Sequence, residues 1–206
     1  MTSNNINDNT EQFKQLLRST QRVGIESVIQ NLETLGFFQA PASAGHHLNV
    51  PGGLVQHSLN VCRVAQHNKD LIIKYHPDLE LRLNDTSIII VSLLHDVCKA
   101  EIYKPATKKR KLPTGYWQEY NGYDVDYSIF PMGHGEKSIV QLLRWGLYLT
   151  EDEMLAIRWH MAAWDLPFQS YEEKECFNRA KQHCPLLTLL QVGDALSSGI
   201  VEGFCS

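Results

Sequence analysis

One stretch of this chain leaves little freedom in how it can fold. From Ile88 to Val97 the sequence reads Ile-Ile-Ile-Val-Ser-Leu-Leu-His-Asp-Val, apolar on every side of a helix until it meets two polar residues. A helix without a polar face has to be enclosed by other elements. The β-branched residues would tolerate a strand, but the length and the Leu-Leu-His-Asp continuation favour a central, buried helix that Asn84 or Asp85 can cap. His95 and Asp96 fall at its end, where burying them is costly unless a metal or an ion pair compensates.

Helical periodicity predicts most of what surrounds it. Residues up to about Asn9 are expected to fray. Phe13, Leu16 and Leu17, then Ile25, Val28, Ile29 and Leu32, predict two helices broken near Gly24, with Gly36 ending the second. With an irregular loop from Phe37 to Pro51 they make an N-terminal portion over about 10–51. A long helix follows from Gly53 to about Tyr75, with His57 in its first turns on the face of Val61 and Val64, so its imidazole should point inward. Between Ile102 and Phe130 a Pro-Thr-Gly turn and alternating aromatics predict an inserted β-hairpin. Helix resumes from Gly135 to Leu149. Thr150 and Glu153 form a capping box for a helix containing Met154, Leu155, Ile157 and His160, and helices from about Tyr171 to Gln182 and Pro185 to Ser198 complete the chain. All 206 residues therefore read as a single all-α domain with a small β-hairpin.

A net charge of −4 argues against a chain whose main work is gripping a nucleic-acid backbone, so no stable nucleic-acid complex is expected. No window approaches a membrane span, and the polar start lacks the basic and apolar parts of a signal peptide. The odd set Cys62, Cys98, Cys176, Cys184 and Cys205, without metal-finger spacing, points to reduced thiols in a cytoplasmic protein.

The chemistry centres on residues with no reason to be apolar neighbours. His57 follows Gly52-Gly53, Asp194 follows Gly193 inside the last apolar helix, and Lys99 lies four residues after His95. Two imidazoles and two carboxylates make a mixed N/O set suited to Zn, Mn or Fe, with positions left open for water and substrate.

The segments GGLVQHSLNV, SLLHDVCKA, GHGEKS, IRWHM and QVGDALSSG, in that order over the core 52–199, resemble the motifs of the HD superfamily of metal-dependent phosphohydrolases. The resemblance is nearest to stand-alone bacterial and phage HD hydrolases and to the HD domains of exoribonucleases. It implies an HD-domain helical bundle holding one or two divalent ions (Fe, Mn, Zn or Mg) on His57, His95, Asp96 and Asp194. It also implies hydrolysis of a phosphomonoester or phosphodiester, a nucleotide by preference, by water activated at the metal. Asp96, Lys99, His134 and His160 would serve catalysis, and His134 and His160 would otherwise hold a second metal. The expected partner is a small phosphorylated substrate, and a homo-oligomer is compatible with the family. Two departures stand out: Cys98 occupies a position where the pattern usually has Gly, and no room is left for the nucleic-acid-binding module of the exoribonucleases. A di-iron oxygenase on the same fold and a non-catalytic nucleotide-binding module are the competing readings.

His46, His47, His67, His76 and His183 match no motif and are expected to be surface or structural residues, although His46 and His47 lie close enough to Gly52-Gly53 to reach a pocket mouth. Glu136 and Lys137 could close the rim beside His134 and His160, although solvated charges are the default reading of such a pair. The run Lys108-Lys109-Arg110-Lys111, with Tyr116, Trp117 and Tyr120, reads as a solvated hairpin or a nucleotide-contacting flap. Asp124 and Asp126, further along it, could aim at the metal site.

Overall fold

The computed structural model describes residues 3–162 and 170–203. Helices α1 (Ser3–Ser19), α2 (Ile25–Leu35), α3 (Gly53–Tyr75) and α4 (Asp85–Leu94) come first, and a short α5 (Lys99–Ile102) leads into strands β1 (Tyr103–Lys111) and β2 (Trp117–Val125). Helices α6 (His134–Arg144), α7 (Glu151–Trp159), α8 (Tyr171–His183) and α9 (Pro185–Leu196) follow, and a π-helical turn, Ser197–Val201, extends the last. This is the all-α architecture with a small hairpin that the sequence predicts. The strands pair antiparallel from Tyr103 opposite Val125 to Lys111 opposite Trp117.

The central position of α4 follows from its composition. Ile88, Ile90, Leu93 and Leu94 are wholly buried, and α1, α3, α7 and α9 pack around the helix. The Asn84 side chain accepts the Ser87 N–H at 2.9 Å and so satisfies one of the free donors of the first turn. At the other end the α-helix stops at Leu94, and His95 to Cys98 form turns where the sequence predicts helix through Val97.

Two further boundaries differ from the sequence reading. Helix α1 is formed from Ser3 and does not fray to Asn9, because Ile6 is buried and Asn9 donates to Gln56 on α3. Helix α6 ends at Arg144, short of Leu149, where Gly146 takes a φ of 82° and the chain turns to bury Leu147 and Leu149. The capping box at Thr150 is present as predicted.

Two glycines let the site-bearing helices come close. A Cβ on Gly193 would lie 3.3 Å from the Val61 carbonyl oxygen of α3, and one on Gly135 would lie 2.4 Å from the Arg158 carbonyl oxygen of α7. The first draws Asp194 towards His57. The second draws His134 towards His160. No single helix among the described residues is long and apolar enough to cross a membrane. Cys62, Cys98, Cys176 and Cys184 are free thiols, and Cys205 lies outside the described residues.

Candidate metal centre

The ends of several helices deliver titratable side chains to one place. His57 comes from the second turn of α3, His95 and Asp96 from the turn closing α4, and Lys99 from the start of α5. His134 opens α6, His160 closes α7, and Asp194 lies near the end of α9. His57, His95, Asp96 and His160 are buried almost completely. Asp96 is the hub. Its Oδ2 lies 2.6 Å from Lys99 Nζ, 3.3 Å from His95 Nε2 and 3.8 Å from His57 Nε2. Its Oδ1 lies 2.6 Å from His134 Nε2 and 3.4 Å from His160 Nε2. Asp194 Oδ1 approaches His57 Nε2 at 3.3 Å. Every residue predicted for the site is thus in this cluster.

The imidazoles are oriented from behind. His95 Nδ1 donates to the Ser92 carbonyl at 3.0 Å and His160 Nδ1 to the Ile157 carbonyl at 2.7 Å, each within its own last helical turn. His57 Nδ1 donates to Glu202, whose two oxygens both lie at 3.1 Å. With the proton held on Nδ1, each neutral ring presents the Nε2 lone pair. Those three Nε2 atoms are buried and have no hydrogen-bond partner. Buried polar atoms are seldom left so, and three of them facing two carboxylates are what a divalent cation requires of its ligands. His57, His95 and Asp96 can bring their donor atoms within 4.8 Å of one another, and so can His95, His160 and Asp194, and Asp96, His134 and His160.

The charge balance agrees with a site built for a cation. Burial alone would raise the Asp96 carboxyl, but Lys99, His95 and the contacts from His134 and His160 hold it well below the usual carboxylate range. Burial likewise opposes ionisation of Asp194, and His57 outweighs it and lowers the carboxyl. Burial disfavours a charged His57, yet the Asp194 and Glu202 carboxylates raise its pKa to about 9. A metal ion would take the place of that proton. For His134, burial is outweighed by Cys98 and Asp96, and the pKa rises to about 10. Burial dominates at His160 and lowers its pKa. Lys99 is held above its ordinary value by Asp96 despite burial.

A cavity of about 420 Å³ opens beside the cluster, lined by His47, Lys99, His160, Gln191, Asp194 and Ser198 among others. His47 is therefore part of the site, contrary to the surface or structural role expected of it. Its Nε2 stands 3.8 Å from Glu202, and its ring lies 5.1 Å from that of His57. The loop after α2 turns back over the start of α3, which the proximity of His47 to Gly52-Gly53 hinted at. His46 is exposed, as are His67, His76 and His183. Sequence reasoning missed Glu202 altogether. Glu136 and Lys137 are not solvated charges: Glu136 pairs with Arg158 at 2.5 Å, and buried Lys137 donates to the Ile129 carbonyl and pairs with Glu101. Asp124 pairs with Lys108 on the hairpin and Asp126 accepts the Ser128 N–H, so neither is aimed at the cluster by these contacts. Cys98 is buried, and its Sγ lies 3.4 Å from His134 Nδ1.

No family model and no solved structure matches the chain. A dihydroneopterin 2′,3′-cyclic phosphate phosphodiesterase of Methanocaldococcus jannaschii is 26% identical over 106 residues, which cover 52% of this chain. The match spans 36% of that protein's own length.

Proposed function

We propose that this chain is a divalent-metal-dependent phosphohydrolase of the HD type, acting on a phosphodiester of a small nucleotide. The observation that carries the reading is the convergence of three buried, unpartnered Nε2 atoms, those of His57, His95 and His160, on Asp96 and Asp194. A divalent cation held there would lower the pKa of water and polarise a phosphoryl oxygen, which is the chemistry that hydrolysis at neutral pH needs. The imidazole-rich donor set favours Mn, Fe or Zn over Mg. The adjoining cavity of about 420 Å³ falls in the range of small-molecule sites. The similar archaeal protein is named for a cyclic phosphodiester, which favours a diester over a monoester as substrate. The Lys99 ammonium on the cavity wall would neutralise charge developing on the phosphoryl oxygens.

The test is metal analysis of protein purified without added metal, followed by turnover of bis(4-nitrophenyl) phosphate, a 2′,3′-cyclic nucleotide and 4-nitrophenyl phosphate. The expected result is diester hydrolysis by the metal-loaded protein that a chelator abolishes. Metal-loaded protein inert towards all three overturns the reading.

Two variants test the assignment of roles. The oxygens of Asp96 face different histidines, His57 and His95 on one side and His134 and His160 on the other. This supports two ions sharing Asp96. His160 belongs to two of the ligand groups and His134 to one, so His134→Ala is the cleaner probe. It should lower bound metal from about two equivalents to about one, whereas a wild-type protein that saturates at one equivalent removes the second ion. Lys99→Ala should keep its metal and lose about 10²-fold or more in kcat. Unchanged turnover would leave Lys99 as a counter-charge for Asp96 alone.

A further inference from the structure

We propose that Glu202 is a positioning residue for His57, an inference that rests on the metal-centre reading above. Among His57, His95 and His160, whose Nε2 atoms face Asp96 and Asp194, two rings lean on backbone carbonyls and His57 leans on a charged acceptor. Glu202 is buried, follows the π-helical turn Ser197–Val201 and donates its own N–H back to the Ser197 carbonyl at 2.9 Å. That turn returns the chain over α3 and sets the carboxylate behind the imidazole, on the side away from Asp194. A carboxylate in this place fixes the ring and its tautomer and makes the opposite nitrogen a more basic ligand.

The carboxylate is itself held by a run of amides with one consistent direction. Asn9 Nδ2 donates to Gln56 Oε1 at 2.8 Å, Gln56 Nε2 to Asn60 Oδ1 at 2.9 Å, and Asn60 Nδ2 to Glu202 Oε1 at 3.0 Å. Because Gln56 occupies the Asn60 oxygen, Asn60 must turn its NH2 group to Glu202. The carboxylate in turn has only an acceptor to offer, so His57 must donate from Nδ1. The N-terminal stretch expected to fray thus reaches His57 from Asn9 through three side chains, Gln56, Asn60 and Glu202.

Manganese binding to the whole protein, followed by calorimetry in wild type, Glu202→Gln and Glu202→Ala, tests the proposal. Glutamine keeps an acceptor and loses the charge, and alanine loses both. The expected result is an unchanged number of Mn²⁺ ions bound about 10- to 100-fold more weakly, with alanine weaker than glutamine. Asn60→Ala should move affinity the same way by less. Wild-type affinity in Glu202→Gln overturns the positioning role while leaving the metal centre standing, and that variant carries the test if the alanine form does not fold. Loss of a whole equivalent overturns it differently, by making Glu202 a ligand together with His47. A wild-type protein that binds no Mn²⁺, Zn²⁺ or Fe²⁺ overturns the metal-centre reading itself.

Discussion

Asp96→Ala is expected to reduce bound metal to background, to take phosphodiester turnover below detection and to lower folding stability by about 3–5 kcal/mol. The first two effects follow from the loss of the carboxylate that faces four imidazoles. The third follows from Lys99, whose ammonium is buried with Asp96 Oδ2 at 2.6 Å as its counter-charge. Removing one partner of a buried pair leaves the other uncompensated, and that costs more than the pair contributes. Asp96→Asn separates loss of charge from loss of shape, since it keeps the volume and one acceptor oxygen while turning an NH2 donor towards either Lys99 or His134. Metal analysis combined with urea unfolding checks both variants. An alanine form with wild-type metal content sinks the ligand assignment, and one with wild-type stability sinks the role as counter-charge.

The parts of this site that are legible in the sequence are those generated by regular helices. Periodicity turns His57 inward with Val61, and the lack of any polar face on α4 makes it the centre of the bundle, so His95 and Asp96 had to be buried. The sequence places Gly193 just before Asp194, but only the packing shows its use, a close approach to the Val61 carbonyl of α3. What stayed hidden lies outside regular periodicity. Glu202 follows a π-helical turn, where a pattern based on 3.6 residues per turn gives the wrong direction, and its partner is 145 residues away. His47 belongs to an irregular loop whose course depends on how it packs against the start of α3. The N-terminal turn of α1 looks polar enough to fray, and what orders it is a tertiary contact: a buried Ile6 and an amide hydrogen bond to α3.

Glu153 gives the same lesson in energetic form. The capping box predicts that Glu153 accepts the Thr150 N–H, and it does so at 2.9 Å. A cap of this kind is worth about 1 kcal/mol. The wholly buried carboxylate also takes two hydrogen bonds from the Arg22 guanidinium at 2.8 Å, and one from the Ser87 hydroxyl at 2.7 Å. It therefore ties the linker between α1 and α2 to α4 and α7. Glu153→Ala is accordingly expected to cost about 3–5 kcal/mol, because Arg22, Ser87 and the helix start all lose their acceptor at once. Burial would raise the Glu153 carboxyl, but the Arg22, Thr150 and Ser87 contacts outweigh it and leave it below the ordinary value of 4.5. A carboxyl depressed in the folded state contributes stability that is fully present above its unfolded pKa and is lost as pH falls through the folded one. The stability gap between wild type and Glu153→Gln should therefore be constant near neutral pH and shrink only as the solution becomes more acidic than pH 4.5. Urea unfolding of both proteins across that range measures the gap directly. An alanine variant within about 1 kcal/mol of wild type at neutral pH would reduce Glu153 to its helix cap alone.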